Sequence, residues 1–247
     1  MASTFFDRWF PGELNNAQGY FTELGELMPG RGRILDLGCG ANYHLAFFRT
    51  PDREVWGVDL QRHPQLAHPE WFRLMAQPGA IPFADASFDL VTTFMVAEHV
   101  TDPPAFLREA ARVLRPGGHL VVHTVRALHY ITWMRWLVGI LPHVWNQRLV
   151  RRLYGRDDHD TFPAWYRMNS PARVARLAQP LGFAPVRVRR YAGHHYFAFS
   201  RILASAGVLA DWALERCVAG MGRIYFTASY RKVDSGARGG PVVGQAA

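Results

Sequence analysis

Ile34-Leu35-Asp36-Leu37-Gly38-Cys39-Gly40-Ala41-Asn42 is the stretch whose reading decides the fold. An apolar strand, Arg33 to Leu37, delivers a carboxylate one step before a glycine turn, and the turn leads into a helical stretch. Glycines let the backbone approach a ligand closely, and amides at a helix start favour anionic groups. A dinucleotide-binding fingerprint needs a third glycine, G-x-G-x-x-G. Tyr43 holds that place, and Asp36 stands where a pyrophosphate would be repelled. A ligand carrying an ammonium and a sulfonium fits this carboxylate better. The same residues also read as a bare structural turn.

Working outward, short apolar runs alternate with helical stretches. Asn16 to Met28 has helical spacing and stops at Pro29-Gly30. Tyr43 to Arg49 can form a helix, and Glu54 to Val58 is a second strand ended by Asp59. Trp71 to Met75 reads as a third strand and Phe88 to Phe94, rich in β-branched residues, as a fourth. Pro104 to Leu114 is an amphipathic helix closed by Arg115-Pro116-Gly117-Gly118, and His119 to Val125 is a fifth strand. After an irregular basic stretch come a helix from Ser170 to Leu181, with Ser170 as N-cap and Pro171 at its first position, and a sixth strand, Pro185 to Tyr191. A long apolar helical stretch, Phe197 to Met221, precedes a seventh strand, Ile224 to Arg231. The expectation is one domain, residues 1–233, with cap insertions at 126–170 and 192–222 and a disordered tail, 234–247. Strands alternating with helices imply an α/β fold with a parallel sheet and crossover helices.

Composition narrows the class. Of 247 residues, 49% are hydrophobic and 19% charged, which suits a globular core rather than a disordered chain. Two cysteines, Cys39 and Cys217, exclude a disulfide framework. The N-terminus carries Asp7 and Pro11 where a secretion signal needs an apolar stretch, so the expected location is the cytoplasm. No run of uncharged apolar residues is long enough to span a bilayer. Charge is divided unevenly: residues 1–110 hold 8 basic and 14 acidic side chains, residues 111–247 hold 20 and 6. The C-terminal half therefore expects an anionic partner or surface.

Four motifs in this order resemble the class I S-adenosylmethionine-dependent methyltransferases, in the type 11-like group: Leu35-Asp36-Leu37-Gly38-Cys39-Gly40, then Pro82-Phe83-Ala84-Asp85-Ala86-Ser87-Phe88-Asp89-Leu90-Val91, Glu98-His99-Val100 and Arg112-Val113-Leu114-Arg115-Pro116-Gly117-Gly118. The resemblance covers about residues 30–125. His123-Thr124, His129-Tyr130, Asp160-Thr161-Phe162-Pro163, Tyr166-Arg167 and Gly182-Phe183 are similar to a bacterial subgroup with a basic insertion after the fifth strand. It implies a Rossmann-like, seven-stranded mixed sheet with helices on both faces, a basic and apolar cap, and an antiparallel last strand. It also implies S-adenosylmethionine as cofactor. Asp36, Gly38, Cys39 and Gly40 would surround its methionine end, Asp59 its ribose hydroxyls, Leu60 and Gln77 its adenine. Phe94 would line the methionine pocket and the substrate mouth. Ser87, Phe88 and Asp89 read as turn and strand-start residues.

Methyl transfer from a sulfonium rewards positioning and desolvation, and a hydroxyl acceptor gains from a base of near-neutral pKa. His99 is the expected base, with His129 second and Tyr130, His159 and Tyr166 behind them. Some relatives bind magnesium with a glutamate three residues before the Glu-His pair. Met95 stands there, so no metal is expected. Asp157-Asp158-His159-Asp160 reads as a turn that neutralises nearby arginines. Residues 126–156 hold six arginines, Trp133, Trp136 and Trp145, and no acid. With Phe197–Met221 they suggest a small or lipid-linked acceptor, reached at a membrane face by peripheral contact. The function expected is methyl transfer to a hydroxyl oxygen. Its rivals are a C-methyltransferase of quinone or natural-product type, an RNA methyltransferase using the basic half, and a non-catalytic cofactor binder.

Overall fold

A computed structural model describes residues 2–139, 162–193, 197 and 199–233. The apolar runs become strands: β1 (Gly32–Leu37), β2 (Arg53–Asp59), β3 (Phe72–Leu74), β4 (Phe88–Phe94), β5 (Leu114–Val125), β6 (Phe183–Tyr191) and β7 (Tyr225–Lys232). They form one sheet in the order β3-β2-β1-β4-β5-β7-β6. β1 runs parallel to β2 and β4, and β5 parallel to β4. β7 is antiparallel to both its neighbours, as the resemblance implied.

Side chains alternate across each strand, so the two faces of the sheet receive different helices. The helices are α1 (Ala2–Trp9), α2 (Asn16–Leu27), α3 (Pro103–Val113), α4 (Tyr130–Gly139), α5 (Pro171–Ala178) and α6 (Arg201–Cys217). On one face Tyr20 and Leu24 of α2 lie on Ile34, Val55, Leu90 and Val121. On the other, Leu107 and Ala110 of α3 and Val174 of α5 lie on Leu35, Val58, Val91 and Val122. Each such fully buried aliphatic side chain contributes about 1.5–3 kcal/mol. Asn15 caps α2 reciprocally with Gln18, and Ser170 caps α5 through Arg173 N–H as expected.

Four elements differ from the sequence expectation. The helix over Tyr43–Arg49 is a single 3-10 turn, Ala46–Phe48. Asn42 leaves the glycine turn left-handed (φ 53°), its amide donates to the carbonyls of His68 and Trp71, and the Arg53 guanidinium takes Phe48 O at 2.6 Å. β5 begins at Leu114, running through the Arg-Pro-Gly-Gly read as a helix stop. Gly118 permits this because a Cβ there would lie 2.9 Å from Asp89 O. α1, which the periodicity did not reveal, packs Phe6 and Phe10 against Val208 of α6, with Trp9 edge-on to Trp212 at 4.9 Å. The long apolar stretch is helical only over Arg201–Cys217. The tail 234–247, His159 and the Asp157–Asp160 turn lie outside the described residues. Among the described residues no helix is long and apolar enough to cross a membrane.

Gly19 of α2 decides how closely that helix approaches the sheet edge. A Cβ there would come 2.1 Å from the buried Tyr191 ring. Helix propensity alone favours Gly19→Ala by about 1 kcal/mol, yet overpacking costs about 1–3 kcal/mol. Gly19→Ala should therefore lower the urea midpoint; an unchanged or raised midpoint would show that Tyr191 has room to move.

Candidate active site

The first chemistry-bearing corner lies where β1 and β2 end side by side. Gly38 and Cys39 both donate their amides to Val58 O, at 2.8 and 3.1 Å, which folds the turn back over β2. Gly40 N–H donates to Asp59 Oδ2 at 2.9 Å and Gln61 N–H to Oδ1 at 3.3 Å. Gly38 and Gly40 take left-handed conformations (φ 82° and 53°) that favour glycine. A Cβ at Gly38 would strike Val96 at 2.4 Å, whereas over Gly40 nothing lies within 4 Å. The turn is thus packed on one side and open on the other.

Asp36 sits beneath this turn, 4% exposed, and its Oδ1 has no hydrogen-bond partner among the described residues. Burial, and secondarily repulsion from Asp59, pushes its pKa up to about 7. A buried acceptor left without a donor costs about 1–3 kcal/mol, so a cationic donor is the ligand this oxygen fits. Cys39 is buried, and burial with the two carboxylates drives its thiol pKa upward, which keeps it protonated. It serves packing: a Cβ at Gly57 would meet its Sγ at 2.6 Å. Leu60, 45% exposed, directly follows Asp59, and the exposed Gln77 lies two residues past Met75, whose amide donates to Asp59 O.

The second part of the site is aromatic, above the ends of β4 and β5. The Phe94 ring lies 4.9 Å from His123, nearly parallel at 8°, and 4.8 Å from Tyr20. Tyr20 and Thr92 share a hydroxyl hydrogen bond of 2.8 Å. Burial, then the Asp36 charge, raises the Tyr20 pKa and keeps its phenol neutral. His123 Nδ1 bonds Thr227 Oγ1 at 2.8 Å, while its buried Nε2 has no partner among the described residues. Burial pulls its pKa down to about 3, so the imidazole is uncharged at neutral pH. Sequence reading assigned no role to Tyr20 or His123. The available signal was a polar residue interrupting the apolar run Leu120-Val121-Val122.

The two histidines expected as bases part company. Nδ1 of His99 donates to Pro163 O, which only accepts, at 2.8 Å. Its contacts lead to Phe162 and Pro163, and no contact joins it to Phe94 or His123 among the described residues. His129 does not suit the role. It is buried just before α4, where Nδ1 accepts from Ile131 N–H at 3.3 Å and Nε2 lies 3.2 Å from Asp211 Oδ1 of α6, so it packs between those helices. Burial raises the Asp211 pKa and the histidine opposes that rise.

Glu98 is also a structural pin. Its carboxylate accepts from the Thr124 hydroxyl at 2.6 Å, and its carbonyl takes the amides of Trp165 and Tyr166. Ser87, Phe88 and Asp89 hold the start of β4: Ser87 bonds Ala84 O, Phe88 lies in the core, and Asp89 takes Arg33 N–H and pairs with Arg115. Among the described residues, no three His, Cys, Asp or Glu side chains converge on a metal-sized point.

The chain leaves β3 at one edge and returns to β4 beside β1, which opens a crevice at the strand ends where Asp36 lies. With this strand order and an antiparallel β7, the fold is that of the class I S-adenosylmethionine-dependent methyltransferases. A family model described as "Methyltransferase domain" matches residues 15–188, and the chain belongs to that family. A probable S-adenosylmethionine-dependent methyltransferase of Mycobacterium tuberculosis is 37% identical over 95 residues, 37% of this chain and 35% of that protein. This match thus spans about a third of that relative. The ubiquinone biosynthesis O-methyltransferase of Aeromonas salmonicida is 27% identical over 178 residues, 68% of each chain. A crystal structure of a Methanosarcina mazei S-adenosylmethionine-dependent methyltransferase superposes with a TM-score of 0.56 over 85% of this chain and 97% of that one, at 18% identity. At that identity the likeness speaks for the fold alone.

The raised pKa of Asp36 ties the protein's stability to pH and, for a cation held there, its affinity too. Its folded pKa near 7 exceeds that of a free carboxyl near 4, so the native state keeps a proton the unfolded chain has lost. This group's contribution to stability therefore falls as pH rises from about 4 to about 7. A cation at Asp36 requires the ionised form. S-adenosylhomocysteine, which carries the ammonium, should bind more weakly as pH falls below about 7 and release a proton on binding at pH about 6. Calorimetry in two buffers of different ionisation enthalpy reads that proton; its absence at pH about 6 would show Asp36 to be remote from the ammonium.

Proposed function

We propose that this protein transfers a methyl group from S-adenosylmethionine to a hydroxyl oxygen of a small or lipid-like acceptor. The observation that carries the reading is the buried, unpartnered Asp36 oxygen beneath an open glycine turn, with Asp59 at the neighbouring strand end. When bound, the cofactor supplies a methyl group on a positively charged sulfur. Asp36 holds the ammonium, and the Gly38-Cys39-Gly40 turn lets the ligand lie close to the backbone. Each Asp59 oxygen already takes one amide and has a lone pair left for a ribose hydroxyl. Leu60 and Gln77 would meet the adenine, Gln77 as an acceptor for its amino group.

Tyr20, Phe94 and His123 form the wall that excludes water from the reacting centre. A dry, pre-shaped wall favours in-line displacement by positioning alone. His99 is the base in this reading: Pro163 O fixes its Nδ1, whereas His129 is buried against Asp211 of α6. The O-methyltransferase relative supports an oxygen acceptor. The exposed apolar side chains Leu128, Trp133, Met134, Ile202 and Leu203 on and around α4 and α6 support a lipid-like acceptor reached by peripheral contact with a membrane.

Two experiments test this reading. Asp59→Asn retains an acceptor for Gly40 N–H but loses charge, and should weaken S-adenosylhomocysteine binding by about 1–3 kcal/mol with little change in melting temperature. Equal calorimetric affinity would remove the ribose assignment. Incubation with methyl-labelled cofactor and a cell extract should place label in the lipid or small-molecule fraction. His99→Ala should lower its rate about 100-fold, and label confined to RNA would overturn the acceptor class.

A further inference from the structure

Arg126, Arg189, Arg190 and Arg223 gather at the far end of β6, the edge strand opposite β3. The end of β6, the segment between α1 and α2, and the turn after α6 enclose a cleft of about 480 Å³, lined among others by Glu13, Arg189, Arg190, Tyr191, Glu215 and Arg223. Its carboxylates are already engaged. Arg223 pairs with both Glu13 and Glu215, while Arg189 shares Glu23 and Glu26 with Arg187. Arg190 is exposed and has no carboxylate partner among the described residues. Its guanidinium lies over Gly220, where a Cβ would sit 3.5 Å from it. Gly220 is left-handed (φ 81°), so the close approach is built into the turn.

A second guanidinium stands beside it. Arg126 directs its hydrogen bonds to the carbonyls of Gly220 and Arg223, leaving its charge without a bonded carboxylate. Burial and the like charge of Arg190 together lower the Arg126 pKa, and Glu215 opposes them. Two neighbouring positive charges repel unless an anion lies between or before them.

The cleft and the reacting centre share a wall. Tyr191 lines the cleft, and its ring lies 6.2 Å from His123. β6 and β5 are separated only by β7, so their strand ends stand about 10 Å apart. Phe94, on β4, lies three strands from β6, about 15 Å across the sheet.

We propose that this cleft binds the anionic end of the acceptor, a phosphate or carboxylate group, and that Arg190 is the side chain that recognises it. A guanidinium fork suits either group, because both offer paired oxygens. This rests on the methyltransferase reading and adds to it a substrate class: an acceptor that carries an anionic group apart from the hydroxyl that is methylated.

The test titrates inorganic phosphate and, separately, succinate into the full-length protein at constant ionic strength, by calorimetry. The variants are Arg190→Gln and Arg190→Lys, and S-adenosylhomocysteine is a control ligand. The expected result is binding of at least one anion to wild type, weakened about ten-fold in Arg190→Gln. Arg190→Lys should lie in between, because it keeps the charge and loses the fork. Phosphate alone would indicate a phosphorylated acceptor, and succinate alone a carboxylated one. No binding of either anion to wild type, or equal binding to all three proteins, would overturn the proposal. Loss of S-adenosylhomocysteine binding by wild type would instead overturn the methyltransferase reading, and leaves the anion result to stand by itself.

Discussion

A carboxyl group held out of water with one oxygen lacking a donor is the constraint around which this molecule is arranged. Asp36 lies at the tip of β1, and the structure around it offers no internal relief. Tyr20 and Thr92 bond each other rather than Asp36, and Asp59 adds repulsion. The carboxyl answers by keeping its proton up to about pH 7. A ligand ammonium removes the conflict by supplying both the hydrogen bond and the opposite charge. The glycine turn keeps the space above open for it, since Gly40 has no neighbour within 4 Å of where a Cβ would project.

The strand order distributes the remaining chemistry along one edge. β1 and β2 end in carboxylates, β4 and β5 in an aromatic wall containing an uncharged histidine, and β6 in arginines. Asp36 and Asp59 stand at the ends of β1 and β2, and Arg126 and Arg190 stand together near the end of β6. Parallel β1, β2, β4 and β5, with β7 reversed, bring these ends together.

Where local sequence and tertiary demand agree, the structure was legible. β4 spans Phe88–Phe94, the same residues as the run rich in β-branched side chains, because Val91, Thr92 and Thr93 suit a pleated, buried surface. Ser170 and Pro171 start α5 because capping is a local interaction of side chain with backbone. Elsewhere distant contacts won. The Asn42 amide bonds to His68 and Trp71, and the Arg53 guanidinium to Phe48 O, reduced an expected helix to one turn. Asp89 O, pressed against Gly118, let β5 begin before the glycines rather than after them. His129 looked reactive beside its tyrosine until Asp211, 82 positions away in sequence, proved to be its partner.

The sequence by itself determined the fold class and put an acid and two glycines at the tip of the first strand, because both depend on residues adjacent along the chain: an apolar strand, an acid, and glycines whose φ values other residues disfavour. Only the tertiary structure decided which of the histidines are engaged, which arginines lack carboxylates, and that Tyr20, Phe94 and His123 share one wall. Those outcomes depend on burial and pairing between segments far apart in sequence, and periodicity and composition carry no record of either.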